Sequence, residues 1–348
     1  MNIWYNTMYN ADTAVCIPHS FKLKENDAME PIKLKPAFKD YLWGGTSLRD
    51  DFGKDCDFEK IAESWELSCH KDGNSVVADG EFAGLTLAEY IEKQGKTVLG
   101  SNCERFENFP ILIKLIDAKD NLSVQVHPDN DYAMRAEGEY GKTEMWYIVD
   151  CDEGASLLYG FKKDISKEEF RERIENNTLL EVTNSVPVKK GDVFFIEAGT
   201  LHAIGKGILI AEIQQNSNTT YRIYDYGRVG ADGKPRQLHI DKAVEVTDLC
   251  PAKPYPVSEP VKNDGWSEKK LASCEYFTVN SLEIDTKASL EADNGSFVHI
   301  LVTEGGCVFS AEGSTPCELV KGDSLFIPAG LGKFELTGNC SAVKTHID

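Results

Sequence analysis

The chain has 348 residues, 41% hydrophobic and 27% charged, a soluble globular balance long enough for one large or two ordinary domains. Its formal net charge of −20 argues against nucleic acid or an anionic membrane as partner, because both repel an acidic surface. No apolar run approaches a membrane span, and an anionic small substrate needs a local Lys and Arg cluster to counter the overall field.

In chain order, residues 1–28 lack the basic start and apolar centre of a signal peptide. They are expected to form a loosely ordered extension, or to precede the true start. From residue 32 short apolar runs broken by Gly, Asn and Asp predict a mainly β chain. Helices interrupt it. Thr86-Leu-Ala-Glu89 is a capping-box pattern predicting a helix to Gly95, and Ser166-Lys-Glu-Glu169 predicts a second through about Asn176. Residues 241–249 suit a third. Cys250 to Pro260 holds four prolines in eleven residues and reads as a linker. The expected organisation is an extension over 1–28, a first β domain with helical insertions over 29–250, a Pro-rich linker over 251–264, and a second β domain over 265–348. The ten cysteines are scattered without a Cys-x-x-Cys pair, as free thiols in a reducing cytosol are.

Within the first domain, Leu122-Ser-Val-Gln-Val-His-Pro-Asp129 carries the most information. As a strand it projects Ser123, Gln125 and His127 to one face and Leu122, Val124 and Val126 to the other, until Pro128 closes it. A polar stripe pointing into a β-barrel needs a reason, and a metal supplies one. Lys142-Thr-Glu144 and Gly199-Thr-Leu-His202 follow. Gln125, His127, Glu144 and His202 make a mixed nitrogen and oxygen donor set suited to zinc or a similar divalent ion. The remaining histidines, His19, His70, His239, His299 and His346, are expected to be structural. Trp43 and Trp65 read as core aromatics, with sugar stacking the alternative.

An internal repeat crosses the linker. Lys190-Gly-Asp-Val-Phe-Phe-Ile-Glu-Ala-Gly199 resembles Lys321-Gly-Asp-Ser-Leu-Phe-Ile-Pro-Ala-Gly330. His202 follows the first copy, and Lys333 holds the same place after the second. Gly191, Glu197, Gly199 and His202 fill the form of the second cupin motif, with Glu197 replacing the usual proline. The predicted fold is therefore two cupin-type jelly rolls, with helices in or flanking the first and one metal site per chain.

Gln125-x-His127 departs from the usual first cupin motif, and Glu144 follows only after an insertion. Together with Tyr41-Leu-Trp-Gly-Gly45, Glu63-Ser-Trp-Glu-Leu-Ser68 and the run from Glu212 to Arg228, this resembles class I mannose-6-phosphate isomerase in its shorter bacterial form. The resemblance spans residues 32–348. It implies a cytoplasmic zinc enzyme, one Zn2+ per chain, acting on a small sugar phosphate without an obligate protein partner. It also implies Gln125, His127, Glu144 and His202 as metal ligands, and Lys142, Glu212 and Arg222 as active-site groups.

Aldose–ketose isomerisation moves a proton between adjacent carbons through an enediol. It needs a base, stabilisation of charge on oxygen, and a grip on phosphate. Glu212 is the first candidate for the base. Arg222 offers a fork to phosphate or to an enediolate oxygen. Lys142 holds an oxygen by its charge or, desolvated, exchanges protons. Ser123 is either a substrate contact or a small inward residue. If Ile208–Gln214 and Tyr221–Asp225 pair as strands, Glu212 and Arg222 face one cavity. A cupin oxygenase and a non-catalytic sugar-binding cupin are the competing readings.

Overall fold

The computed structural model describes residues 30–229, 233–256 and 258–348, so the expectation for residues 1–28 lies outside the described residues. Two facing sheets build the first jelly roll. One has six strands, in the order Val193–Ile196, Glu144–Cys151, Ile208–Gln215, Ile111–Ala118, Glu63–Leu67 and Ala37–Lys39. The other has five, in the order Thr183–Pro187, Ser156–Phe161, His202–Ala203, Val124–Val126 and Tyr221–Tyr224.

The six-stranded sheet is covered on both sides, which explains why Ile111–Ala118 and Ile208–Gln215 read as near-continuous apolar runs. Alternate residues part company there. Ile111, Ile113 and Leu115, with Met145, Val149, Leu209, Ala211 and Ile213, join one core with Phe277, Phe297, Phe326 and Val343 of the second jelly roll. Ile116, Ile148, Ile208 and Ile210 point the other way, into the first jelly roll, and pack with Leu157 and Ile204 of the facing sheet. The same inward parity further along the strands brings in Lys114, Glu144 and Glu212, so one end of the interior is hydrocarbon and the other is charged.

Helices Lys167–Glu175 and Ile240–Val246 cover the outer face of the five-stranded sheet, burying Phe170, Ile174, Ala243 and Val244 against Val124, Val126, Leu201 and Ile223. Both capping signals are realised. Thr86 and Glu89 form a reciprocal box at the start of Leu87–Gln94, and the Ser166 hydroxyl accepts the Glu169 N–H. The third helix stops at Val246 because the Thr247 hydroxyl and N–H both donate to Ala243 O, and Thr247 turns extended. Leu122 departs from the expected alternation. The regular strand begins only at Val124, and Leu122 packs inside with Ile116 and Ile148. A further helix, Asn130–Ala136, follows directly, capped by Asp129.

The second jelly roll is a ten-stranded sheet dominated by Val298–Ala311 and Gly332–His346. Ile32–Lys35, the first described strand, pairs with Ser324–Ile327 of this sheet rather than with its sequence neighbours, and Val76–Val77 pairs with it in turn. The repeat is reproduced bond by bond. Gly191 and Gly322 both adopt positive φ, of 88° and 93°, and both N–H groups donate at 2.8 Å across to the neighbouring strand, to Ile148 O and Val302 O. Asp192 and Asp323 close the same turn, their carboxylates accepting the N–H three residues back. This matches the mainly β, two-jelly-roll expectation.

Candidate metal and active site

Gln125 and His202 face each other across neighbouring strands of the five-stranded sheet, and their Nε2 atoms lie 3.3 Å apart. His127 follows at the strand end, with its ring centroid 4.8 Å from that of His202. Glu144 comes from the opposite sheet. Its Oε1 lies 3.5 Å from His202 Nε2 and its Oε2 lies 3.8 Å from His127 Nε2. Ligand atoms of His127, Glu144 and His202 all fall within 4.8 Å of one another, and all three residues are buried.

The donor set fits a divalent ion. His127 Nδ1 meets Thr219 O at 2.9 Å and His202 Nδ1 meets Thr200 O at 2.8 Å, so each Nδ1 carries the proton and each Nε2 turns a lone pair inward. His127 Nε2 and Glu144 Oε1 are buried with no hydrogen-bond partner among the described residues. Ligands about 2.0–2.1 Å from a tetrahedral ion stand roughly 3.3–3.4 Å apart, close to the spacings found here. Burial pushes His202 down to about 4 and His127 well below its ordinary value, which keeps both imidazoles neutral as ligands require. Burial, and secondly Glu212, push the Glu144 carboxyl up to about 7, a strain that a dication relieves. A half-turn of the Gln125 amide exchanges its Nε2 for Oε1, completing the nitrogen and oxygen set.

Beside this cluster runs a buried chain of alternating charge. Lys142 Nζ lies 2.9 Å from Glu144 Oε2 and 3.5 Å from Glu212 Oε1. Lys114 Nζ lies 3.4 Å from Glu212 Oε1 and 3.5 Å from Glu63 Oε2. Indole N–H groups finish it, Trp146 donating to Glu212 at 2.9 Å and Trp65 to Glu63 at 2.7 Å. Burial alone raises the Glu212 carboxyl. Lys142 and Lys114 more than offset that and hold it below the usual range, so Glu212 is a carboxylate. Lys142 is held above its ordinary value because Glu144 and Glu212 outweigh its burial.

Glu212 and Arg222 sit on facing sheets of the first jelly roll and not on two strands paired with each other, so the condition set for their meeting is not met. Ile208–Gln215 pairs with Ile111–Ala118 and Glu144–Cys151, while Tyr221–Tyr224 pairs with Val124–Val126, so the 216–220 turn carries the chain from one sheet to the other. Arg222 is the Cα partner of Gln125. Its Nη1 donates to Gln237 O at 3.1 Å, and its buried Nε has no partner among the described residues. Arg228 and Arg236 both bind the Asp225 carboxylate, and all three bear electrostatically on Arg222. Ser123 is buried and lies just before the regular strand Val124–Val126.

Lys114 and Glu63 were missed. Lys114 interrupts the run ILIKLIDA at an inward position, and a buried lysine without a partner is rare enough to have flagged it. Trp65 is fully buried, with Lys39 and Lys114 ammonium groups 4.5 and 5.0 Å from its ring centre, and Trp43 is buried in the interior cluster, so both are core aromatics. Among the remaining histidines, His239 accepts the Arg222 N–H and His299 pairs with Ser324 Oγ, while His19 lies outside the described residues.

Fold and site together define a cupin-type barrel able to hold a divalent metal beside a buried Glu–Lys network. Residues 32–154 match the family described as phosphomannose isomerase type I, catalytic domain, and residues 267–347 match the mannose-6-phosphate isomerase cupin domain. The chain is 40% identical over 320 residues to a mannose-6-phosphate isomerase of Bacillus subtilis, covering 91% of this chain and 99% of that one. It is 37% identical over 319 residues to the mannose-6-phosphate isomerase of Streptococcus mutans, covering 91% and 98%. A crystal structure of the mannose 6-phosphate isomerase from Bacillus subtilis superposes with a TM-score of 0.86 at 38% identity, over 91% of this chain and all of that one. The chain belongs to the type I mannose-6-phosphate isomerase family of enzymes.

Proposed function

We propose that the chain interconverts D-mannose 6-phosphate and D-fructose 6-phosphate, with one zinc ion held by Gln125, His127, Glu144 and His202. When bound, the ion supplies Lewis acidity toward the sugar oxygens. Glu212, kept ionised by Lys142 and Lys114, takes the proton from C2 and returns it at C1 as the carbonyl moves in the opposite sense. Lys142 holds its ammonium beside the oxygens on which enediolate charge develops. Arg222 offers its unpartnered Nε and the rest of its fork to the phosphate or to that oxygen, and Ser123 contributes a hydroxyl contact. Lys114 joins the set as the second cation on Glu212.

The observation that carries this reading is the buried His127–Glu144–His202 cluster placed beside Glu212, whose carboxyl meets both Lys142 and Lys114. A non-catalytic sugar-binding module has no need to bury five linked charges, whose desolvation is costly. The chain is further proposed to divide into a catalytic unit over 29–250, which lends Ile32–Lys35 and Val76–Val77 to the second sheet, a linker over 251–264 whose Val261–Asn263 joins that same sheet, and a metal-free unit over 265–348, and to act in the cytoplasm on a free sugar phosphate. No helix among the described residues is long and apolar enough to cross a membrane. The test is conversion of mannose 6-phosphate to fructose 6-phosphate by the purified protein. Turnover should vanish with a chelator and return with zinc, and no turnover with zinc restored contradicts the proposal.

A further inference from the structure

Lys142 enters the site from a segment that joins a strand only at Glu144, so a sheet ladder does not aim it. The three preceding amides are instead pinned one by one. Gly141 N–H donates to Asn130 Oδ1 at 2.8 Å, Lys142 N–H to Pro128 O at 3.0 Å, and Thr143 N–H to Gln215 Oε1 at 2.9 Å. Gln215 then donates its own Nε2 to the same Asn130 Oδ1 at 2.9 Å, and its main-chain N–H to Thr143 O at 3.0 Å. Asn130 donates Nδ2 to the Tyr276 hydroxyl at 3.0 Å, and Tyr276 belongs to the second jelly roll. Gln215 is buried. A Cβ on Gly141 would run into the backbone of Asp129 and Asn130, so the segment can approach this closely only with glycine there.

We propose that Asn130 and Gln215 are positioning residues for the isomerisation. They form an amide clamp that fixes Gly141–Thr143 and thereby sets Lys142 Nζ between Glu144 and Glu212, and Tyr276 ties the clamp to the metal-free jelly roll. The inference rests on the reading of Lys142 and Glu212 as active-site groups. Neither clamp residue touches reacting atoms. Their effect comes through the aim of a long side chain whose ammonium must meet two carboxylates at once.

Gln215→Met keeps the volume and removes both side-chain bonds, whereas Gln215→Glu keeps the acceptor for Thr143 N–H. The Met variant is expected to lower kcat about 30-fold while KM shifts less than about threefold, since small misplacements of catalytic groups cost up to about a hundredfold. Bound metal per chain should match the parent, and Gln215→Glu should recover at least about threefold of the loss. Amide hydrogen exchange over residues 137–144 should quicken in the Met variant. Unchanged kcat, or a loss matched by lost metal or lost folded protein, overturns the clamp. If the parent enzyme shows no isomerase turnover the functional reading fails, and the exchange arm still decides, because unaltered protection of Gly141–Thr143 contradicts the clamp. Should Gln215→Met fail to fold, Tyr276→Phe, which deletes one hydroxyl, is expected to lower kcat about two- to threefold with quicker exchange over the same residues. Parent values for both overturn it.

Discussion

The two jelly rolls share a turn, a strand and a hydrogen-bond pattern, yet only the first interior has a charged end. Glu144 is the Cα partner of Ile196 in the first, and Val298 is the partner of Ile327 at the matching place in the second. His202 likewise corresponds to Lys333. Where the first interior carries Lys114, Lys142, Glu144 and Glu212, the second packs Val298, Ile300, Phe309, Leu325 and Phe334. The framework therefore does not need the site. The charged interior trades packing for chemistry, and the other face of the second sheet covers the catalytic sheet through Phe277, Phe297 and Phe326.

The largest expected asymmetry concerns the metal. His202→Ala should lose stoichiometric metal and at least about a thousandfold in turnover, because a Lewis acid contributes several kcal/mol. Lys333→Ala, its counterpart, should change neither, and full metal retention in the first variant removes His202 from the ligand set. Phe334→Ala should cost about 3–4 kcal/mol in denaturant unfolding while leaving kcat per bound metal unaltered. A fall in that kcat would show that the second interior reaches the chemistry directly. Arg222→Ala should depress kcat about a hundredfold with zinc and fold retained, the scale of one lost charge-stabilising donor. Near-normal kinetics exclude its role.

The smallest effect is a pH slope from the boundary between the two units. His299 is fully buried against Ser324, and burial, with Lys54 nearby, pushes its imidazole down to about 3. Unfolding returns it to about 6.5. Below that value the unfolded chain binds a proton that the folded chain refuses. Its stabilising contribution, complete above about pH 6.5, is thus lost as pH falls toward 3, by up to ~1.4 kcal/mol per pH unit. His299→Gln should flatten the fall between pH 7 and 5 in denaturant midpoints. An unaltered slope contradicts the assignment.

Much of this was legible in the residues because short-range rules govern it. Two helix caps, the Gly-Asp turns of the repeat, and the polar parity of Gln125 and His127 each follow from spacing alone. Lys114 and Glu63 were hidden because an isolated charge inside an apolar strand has no local partner, and its meaning arises only when Ile208–Gln215 brings Glu212 alongside. The pairing of Ile32–Lys35 with Ser324–Ile327 is equally invisible, since nearly the whole chain separates two short strands that pair only in space. The condition that Ile208–Gln214 pairs with Tyr221–Asp225 goes unmet for a related reason. A tight polar turn signals a hairpin, and only the packing of both sheets shows that it crosses between them.

The most direct measurement is a zinc titration of metal-stripped protein, followed by mannose 6-phosphate turnover and by metal content on the same samples. The asymmetry between the two interiors predicts activity that rises linearly and levels off at one zinc per chain. Activity that persists without metal, or that levels off only at two ions per chain, contradicts it.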